Sequence, residues 1–264
     1  MKYISQKELR LPKRGSRKGE NGRVLIIGGS MDYVGAPVLA GLAALRSGAD
    51  WVTVLAPKKA GWAINCLSPD LVVRKVKGDY FLSKHIKDAK KEEKKHDVIV
   101  IGNGLGLKSK DFIISFVKKC NKPMVIDADA LKAISINIPR KSILTPHSRE
   151  LEILMKNSNV KSIDKLQRIL RDNVIIAKGS IDRIITKDKV YYNKTGNAGM
   201  TKAGTGDVLA GLAAGFYAQT KDAIMAAKMA AYYNGMIGDI LLRKKKGFTY
   251  LASDMVGEIK RICK

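Results

Sequence analysis

Asn197-Ala198-Gly199-Met200-Thr201-Lys202-Ala203-Gly204-Thr205-Gly206-Asp207-Val208-Leu209-Ala210-Gly211 passes from glycine-spaced polar residues into an apolar run. That run continues to Phe216 and is rich in small residues, so it reads as a buried helix. A helix that begins behind a glycine loop presents its unbonded backbone N–H groups outward, and glycine lets an anion come close to them. Ala203, Gly204, Thr205 and Gly206 therefore read as a phosphate cradle. Asp207, at its edge, is the residue of the run able to take a proton where a substrate hydroxyl meets a phosphoryl group. The competing reading makes Asp207 an ordinary acidic helix-start residue, favoured there by the helix dipole.

Working outward, two common nucleotide signatures fail. Thr205 stands where a P-loop would carry lysine, and Gly28-Gly29-Ser30, after the strand Arg23-Val24-Leu25-Ile26-Ile27, lacks the GxGxxG spacing. Further strands are expected at 51–55, 71–76, 97–101, 124–126, 142–145 and 174–177, alternating with helices. Asp97-Val98-Ile99-Val100-Ile101 is apolar throughout its last four residues, as in a parallel sheet covered on both faces. It runs into Gly102-Asn103-Gly104-Leu105-Gly106, a strand end where a ligand loop belongs. A helix starts at Gly35-Ala36-Pro37, and Ser83 to Lys95 reads as an exposed charged helix flanked by His85 and His96, both expected at the surface. The runs 183–186 and 190–192 pair as a hairpin. Two helices follow the cradle, near 223–245 and 251–262. The whole chain, 1–264, reads as one α/β domain with no evident seam.

Several titratable residues fall at strand ends. Asp127 and Asp129 follow the strand Met124-Val125-Ile126, where a carboxylate could hold Mg²⁺ through water, orient a hydroxyl or cap the next helix. His147 lies at a strand-to-helix junction, and Glu150 either starts that helix favourably or directs hydrated Mg²⁺. Lys178-Gly179-Ser180-Ile181-Asp182 follows the strand 174–177. Arg17, Lys18 and Lys58 are phosphate-contact candidates, with solvated surface as the alternative.

Composition sets limits. Lys and Arg number 49 against 24 Asp and Glu, a formal charge of +25 that would suit nucleic acid, a membrane surface or a polyanionic small molecule. The lysines are spread through apparent surface helices without a nucleic-acid module, so no nucleic-acid partner is expected. Cys66, Cys120 and Cys263 lie far apart with no CxxC pair, which points away from zinc and disulfides and toward a reducing cytoplasm. No apolar run approaches membrane-spanning length, so a soluble protein is expected.

The ordered set of Gly28-Gly29-Ser30 with Tyr33 and Gly35-Ala36-Pro37, Gly102 to Gly106, Asp127-Ala128-Asp129-Ala130-Leu131, Thr145-Pro146-His147, Lys178-Gly179-Ser180, and Gly199-Met200 with Gly204-Thr205-Gly206-Asp207 resembles the ADP/ATP-dependent NAD(P)H-hydrate dehydratase family of the ribokinase-like fold. The resemblance covers nearly the whole chain. It implies a central, mostly parallel sheet flanked by helices on both faces, and ADP-dependent dehydration of the S-epimer of NADH or NADPH hydrate, releasing AMP and phosphate, with Mg²⁺ as cofactor and ATP as the other possible co-substrate. Family positions for the hydrate carry to Ala36, Gly104, His147 and Asp207, and those for AMP to Lys178 through Asp182 and Gly206. It further implies a homo-oligomer, a tetramer, served by a separate epimerase. The sequence departs from the family at Asn103 (usually proline), at Ser148-Arg149 (usually proline-glycine) and at Ala203 (usually glycine). Two rivals remain: a kinase of the same fold acting on a vitamin-precursor alcohol, and a basic nucleic-acid-binding protein.

Overall fold

A computed structural model describes residues 1–9, 17, 19–245 and 247–261. The phosphate-contact candidate Lys18 lies outside the described residues. The ten described strands form one sheet: β1 Lys2–Tyr3, β2 Arg23–Ile27, β3 Trp51–Pro57, β4 Val72–Val76, β5 Val98–Ile101, β6 Met124–Ile126, β7 Ser142–Leu144, β8 Val174–Ala177, β9 Asp182–Ile185 and β10 Val190–Asn193. Their spatial order is β1-β10-β9-β8-β7-β6-β5-β2-β3-β4, and β9 runs antiparallel to both of its neighbours while the other pairings are parallel. The expected mostly parallel α/β architecture is what the chain adopts.

Side-chain alternation explains why both faces need helices. Val24 and Ile26 of β2, Val98 and Val100 of β5 and Val125 of β6 point to one core. Leu25, Ile27, Ile99, Ile101, Met124 and Ile126 point to the other. The first core is covered by α1 Gly35–Arg46, α2 Lys58–Leu67, α8 Thr205–Thr220, α9 Ala223–Lys244 and α10 Ala252–Glu258. The second is covered by α3 Ile86–Glu93, α4 Lys110–Lys119, α5 Asp129–Ala133, α6 Ser148–Asn157 and α7 Ile163–Arg168.

The expected small-residue helix, α8, is buried throughout 208–218 and lies against α1. A Cβ at Gly211 would stand 2.1 Å from the Ala40 carbonyl oxygen, so only glycine permits this approach.

Two expectations need correction. The strand β1 was not foreseen, and Tyr3 pairs there beside Tyr192 of β10. The helix at 83–95 is shorter and less exposed than its lysines suggest: Ala89, Glu92 and Glu93 turn inward, and His85 and His96 are each only 3 % exposed. Burial is possible because Lys90 and Lys95 neutralise Glu93 and Glu92 at 2.5 and 2.8 Å, both ring nitrogens of His96 find hydrogen-bond partners, and His85 Nδ1 accepts the Leu82 N–H, leaving, of the ring nitrogens, only His85 Nε2 without a partner among the described residues.

Candidate active site

The strand order reverses between β2 and β5, since β3 and β4 extend one way and β6, β7 and β8 the other. Loops at the carboxyl ends of strands flanking such a switch form a crevice, the usual ligand position in open α/β sheets. Here the loop after β2 and the loop after β5 are tied together by the Gly29 N–H donating to the Asn103 carbonyl at 2.9 Å.

Asp207 sits in the first turn of α8, behind Gly204. Gly204 takes φ +92°, the left-handed conformation that starts the helix, while Ala203 does not share it and tolerates its side chain. The first i→i−4 bond of α8 is Val208 N–H to Gly204 O at 3.1 Å, which leaves the N–H groups of Gly206 and Asp207 unbonded within the helix and facing the expected cradle. The Thr205 hydroxyl is turned inward, donating to Met200 and Lys202 carbonyls at 2.6 and 2.9 Å, so it shapes the loop and offers the cradle no side chain.

The carboxylate of Asp207 joins a polar network. The Asn103 amide donates to Asp207 Oδ1 at 2.7 Å and to Asp127 Oδ2 at 3.0 Å. Thr145 Oγ1 donates to Asp127 Oδ1 at 2.7 Å, and Lys178 Nζ reaches the same oxygen at 3.4 Å. Burial, reinforced by the nearby Asp127, pushes the Asp207 carboxyl up to about 6, against the lowering influence of the Asn103 hydrogen bond and Lys178. An acid so placed is ionised near neutrality yet basic enough to accept a proton. Asn103 is fully buried, and its Oδ1 has no partner among the described residues.

Lys178 connects the other candidates. A Cβ at Gly206 would lie 3.3 Å from Lys178 Nζ, placing the ammonium against the first turn of α8. Lys178 N–H donates to the Pro146 carbonyl at 2.9 Å, and Nζ is 3.9 Å from Glu150 Oε2. Glu150 is buried at the start of α6, takes the His147 N–H at 3.0 Å and lies 3.4 Å from His147 Nε2. Burial raises its pKa, with Lys178 opposing. His147 itself is exposed. Beyond Lys178, Gly179, Ser180 and Ile181 form an exposed loop held by Asp182, which accepts from Gly179 N–H and from Asn193 Nδ2, both at 3.1 Å. That carboxylate is committed to loop shape. Ala36 and Gly104 adjoin: a Cβ at Gly104 would come 3.5 Å from Ala36 Cβ. Asp129 does not cap α5; it accepts the Gly106 N–H at 2.9 Å and an ammonium bond from Lys132 at 2.9 Å.

Asp127, Asp207 and Lys178 thus join one network that Glu150 and His147 adjoin, whereas Arg17, whose N–H donates to Glu20, and Lys58, at the start of α2, take no part in it. Asn103 and Thr145 were missed as functional residues. Asn103 stood out in sequence as a departure from the family, and Thr145 only as the first residue of the Thr145-Pro146-His147 run, with no role assigned to it. Among the described residues no three His, Cys, Asp or Glu side chains converge to hold a metal ion directly. Two carboxylates beside a phosphate cradle suit Mg²⁺ that keeps its water and travels with a nucleotide.

Comparison with known proteins gives the family. The family model for NAD(P)H-hydrate dehydratase matches residues 24–261. A bifunctional NAD(P)H-hydrate repair enzyme of Methanocaldococcus jannaschii is 42% identical over 98% of this chain and 51% of its own length. The ADP-dependent (S)-NAD(P)H-hydrate dehydratase of Nitrosopumilus maritimus is 32% identical over 96% of this chain and 92% of its own. The chain spans about half the length of the bifunctional relatives it matches. Among solved structures, the ADP/ATP-dependent NAD(P)H-hydrate dehydratase of Bacillus subtilis, co-crystallised with ATP and Mg²⁺, superposes with a TM-score of 0.78 at 27% identity over 96% of this chain and 93% of that one. With that match extending from the first long strand almost to the C-terminus, the chain belongs to the NAD(P)H-hydrate dehydratase family.

Proposed function

We propose that this protein restores NADH or NADPH from the S-epimer of the corresponding hydrate, consuming ADP and releasing AMP and phosphate. The observation that carries the reading is the placement of Asp207: a buried carboxylate at the edge of the glycine cradle, with Lys178 against the same helix turn. Hydroxide is a poor leaving group, so the hydrate hydroxyl must first be phosphorylated. Asp207 takes the hydroxyl proton as the oxygen attacks the terminal phosphorus of ADP and AMP departs. The unbonded Gly206 and Asp207 N–H groups and the Lys178 ammonium stabilise charge on the transferring group. Phosphate then leaves the ring carbon, a proton leaves the neighbouring carbon, and the ring double bond returns. Mg²⁺, held through water by Glu150 and Asp127, would neutralise phosphate charge in this site.

The hydrate would lie along Ala36, Gly104 and His147, and the AMP portion along Lys178 to Asp182. The name of the Nitrosopumilus relative supports ADP over ATP. The longer, bifunctional relatives support pairing with a second repair activity, which we assign to an NAD(P)H-hydrate epimerase acting separately. A cytoplasmic homo-oligomer, a tetramer folded as one domain, completes the reading; sedimentation of the purified chain tests its assembly. No helix among the described residues is long and apolar enough to cross a membrane.

The deciding experiment incubates the protein with NADH hydrate, Mg²⁺ and either ADP or ATP and follows recovery of reduced-nicotinamide absorbance. Faster recovery with ADP is expected. No recovery, with phosphorylation of a vitamin-precursor alcohol instead, would make the protein a kinase of the same fold.

A further inference from the structure

A cavity of about 290 Å³ opens at the opposite end of the sheet from Asp207, lined by Arg23, Trp51, Thr53, Val72, Arg74, Glu92, Lys95 and His96. The register explains its composition. Arg23 pairs with Trp51, Thr53 with Val72, and Leu55 with Arg74, so alternation puts the lining residues of β2, β3 and β4 on one face at the strands' amino ends. The end of α3 and the turn after it supply Glu92, Lys95 and His96 as the opposing wall.

The cavity has a built wall. Trp51 is 43 % exposed, yet its indole Nε1–H donates to Thr53 Oγ1 at 3.0 Å. Thr53 is buried, and its oxygen lies 2.9 Å from Nε2 of the buried His96, whose Nδ1 lies 2.7 Å from the Glu92 carbonyl. These distances fit one direction of donation: indole to hydroxyl, hydroxyl to Nε2, and Nδ1–H to carbonyl. The neutral imidazole this requires is favoured by burial, which lowers the His96 pKa. A buried chain of three groups therefore holds an exposed aromatic face in one orientation.

Charge supplies the second half. Glu92 is neutralised by Lys95 at 2.8 Å, while no salt bridge among the described residues engages the guanidinium of Arg23 or Arg74. Two unpaired guanidinium groups beside a fixed indole match a planar ring bearing a dianion, since guanidinium forks fit phosphate oxygens and aromatic rings stack. The volume lies near the lower end of ligand pockets, roughly 300–1,000 Å³, and suits one ring system with one phosphate better than a dinucleotide.

We propose that this cavity is a second binding site, for a heteroaromatic phosphate monoester of mononucleotide size, with the ring on Trp51 and the phosphate toward Arg23 and Arg74. The site is independent of the dehydratase reading. The chain contains two tryptophans, so in a Trp62→Phe background Trp51 is the sole indole and reports this cavity alone. Titrating AMP into that protein should change Trp51 emission saturably. Arg74→Gln in the same background should weaken the response about tenfold, the scale expected on losing a charge-assisted bond. Adenosine should bind at least about tenfold more weakly than AMP for the same reason, and inorganic phosphate should compete with AMP. Absence of a saturable change at millimolar AMP, equal binding of adenosine and AMP, or unchanged affinity in an Arg23→Gln, Arg74→Gln double variant would each overturn the proposal. Both arginines are exposed, Arg23 at the start of β2 and Arg74 in the middle of β4, so their replacement leaves the core intact.

Discussion

The carboxylate of Asp207 is asked to be both buried and charged, and the two requirements oppose each other. Its pKa, about 6 rather than 3.8, means that the folded chain holds a proton that the unfolded chain has lost between those values. This group's contribution to stability is therefore greatest below about pH 4, declines as pH rises to about 6, and stays low above that. Asp207→Asn should accordingly melt at a higher temperature than the parent at pH 7, with the gain shrinking toward pH 4 in paired melting curves. The same substitution should lower kcat by about 10²–10⁴-fold, the usual worth of a positioned proton acceptor, while leaving nucleotide affinity near normal; near-normal turnover would remove Asp207 from its role. For the parent enzyme, kcat/KM should fall as pH drops through about 6, where Asp207 becomes protonated. Asn103→Ala removes a donor that lowers this pKa, so the acidic limb should move to higher pH; a limb that stays in place would show that the Asn103 amide does not tune the acid. The importance of Asn103 escaped local reading because its partners lie 24 and 104 residues away.

At the scale of the element, α8 matters because it positions Asp207 through packing against α1. Gly211 and Gly215 admit the α1 backbone and the Ser47 hydroxyl; Cβ atoms there would stand 2.1 Å from Ala40 O and 1.9 Å from Ser47 Oγ. Gly211→Ala must push the helices apart. We expect a loss of about 1–3 kcal/mol from overpacking, read as a melting temperature several degrees lower, together with reduced kcat as Asp207 shifts. An unchanged melting temperature would mean that α1 and α8 separate without cost. The small-residue pattern of α8 was legible because it is contiguous in sequence. The inward face of α3 was not: six lysines in 84–95 conceal that Glu92, Glu93, His85 and His96 are buried, His96 against Thr53 of β3 and Glu93 against the N–H of Asn121 just past α4.

For the molecule as a whole, the charge of +25 would act as a long-range field on the ADP of the proposed reaction. Steering of this kind is screened by salt, so kcat/KM for ADP should fall severalfold between about 0.01 M and about 1 M salt while kcat changes little. Salt-independent kcat/KM would show that the excess charge plays no part in nucleotide capture. Sequence alone determined the layered α/β class, the approximate strands and the loop-to-helix junction at Gly204 to Asp207, because apolar runs and glycine spacing are local consequences of backbone geometry. Tertiary structure alone decided that Asn103, Asp127, Asp207 and Lys178 form one network, that His96 is buried, and that Arg23, Trp51 and Arg74 share a cavity wall. The reason is physical: burial and pairing depend on which strands become neighbours, and residues far apart along the chain acquire that proximity only when the sheet closes.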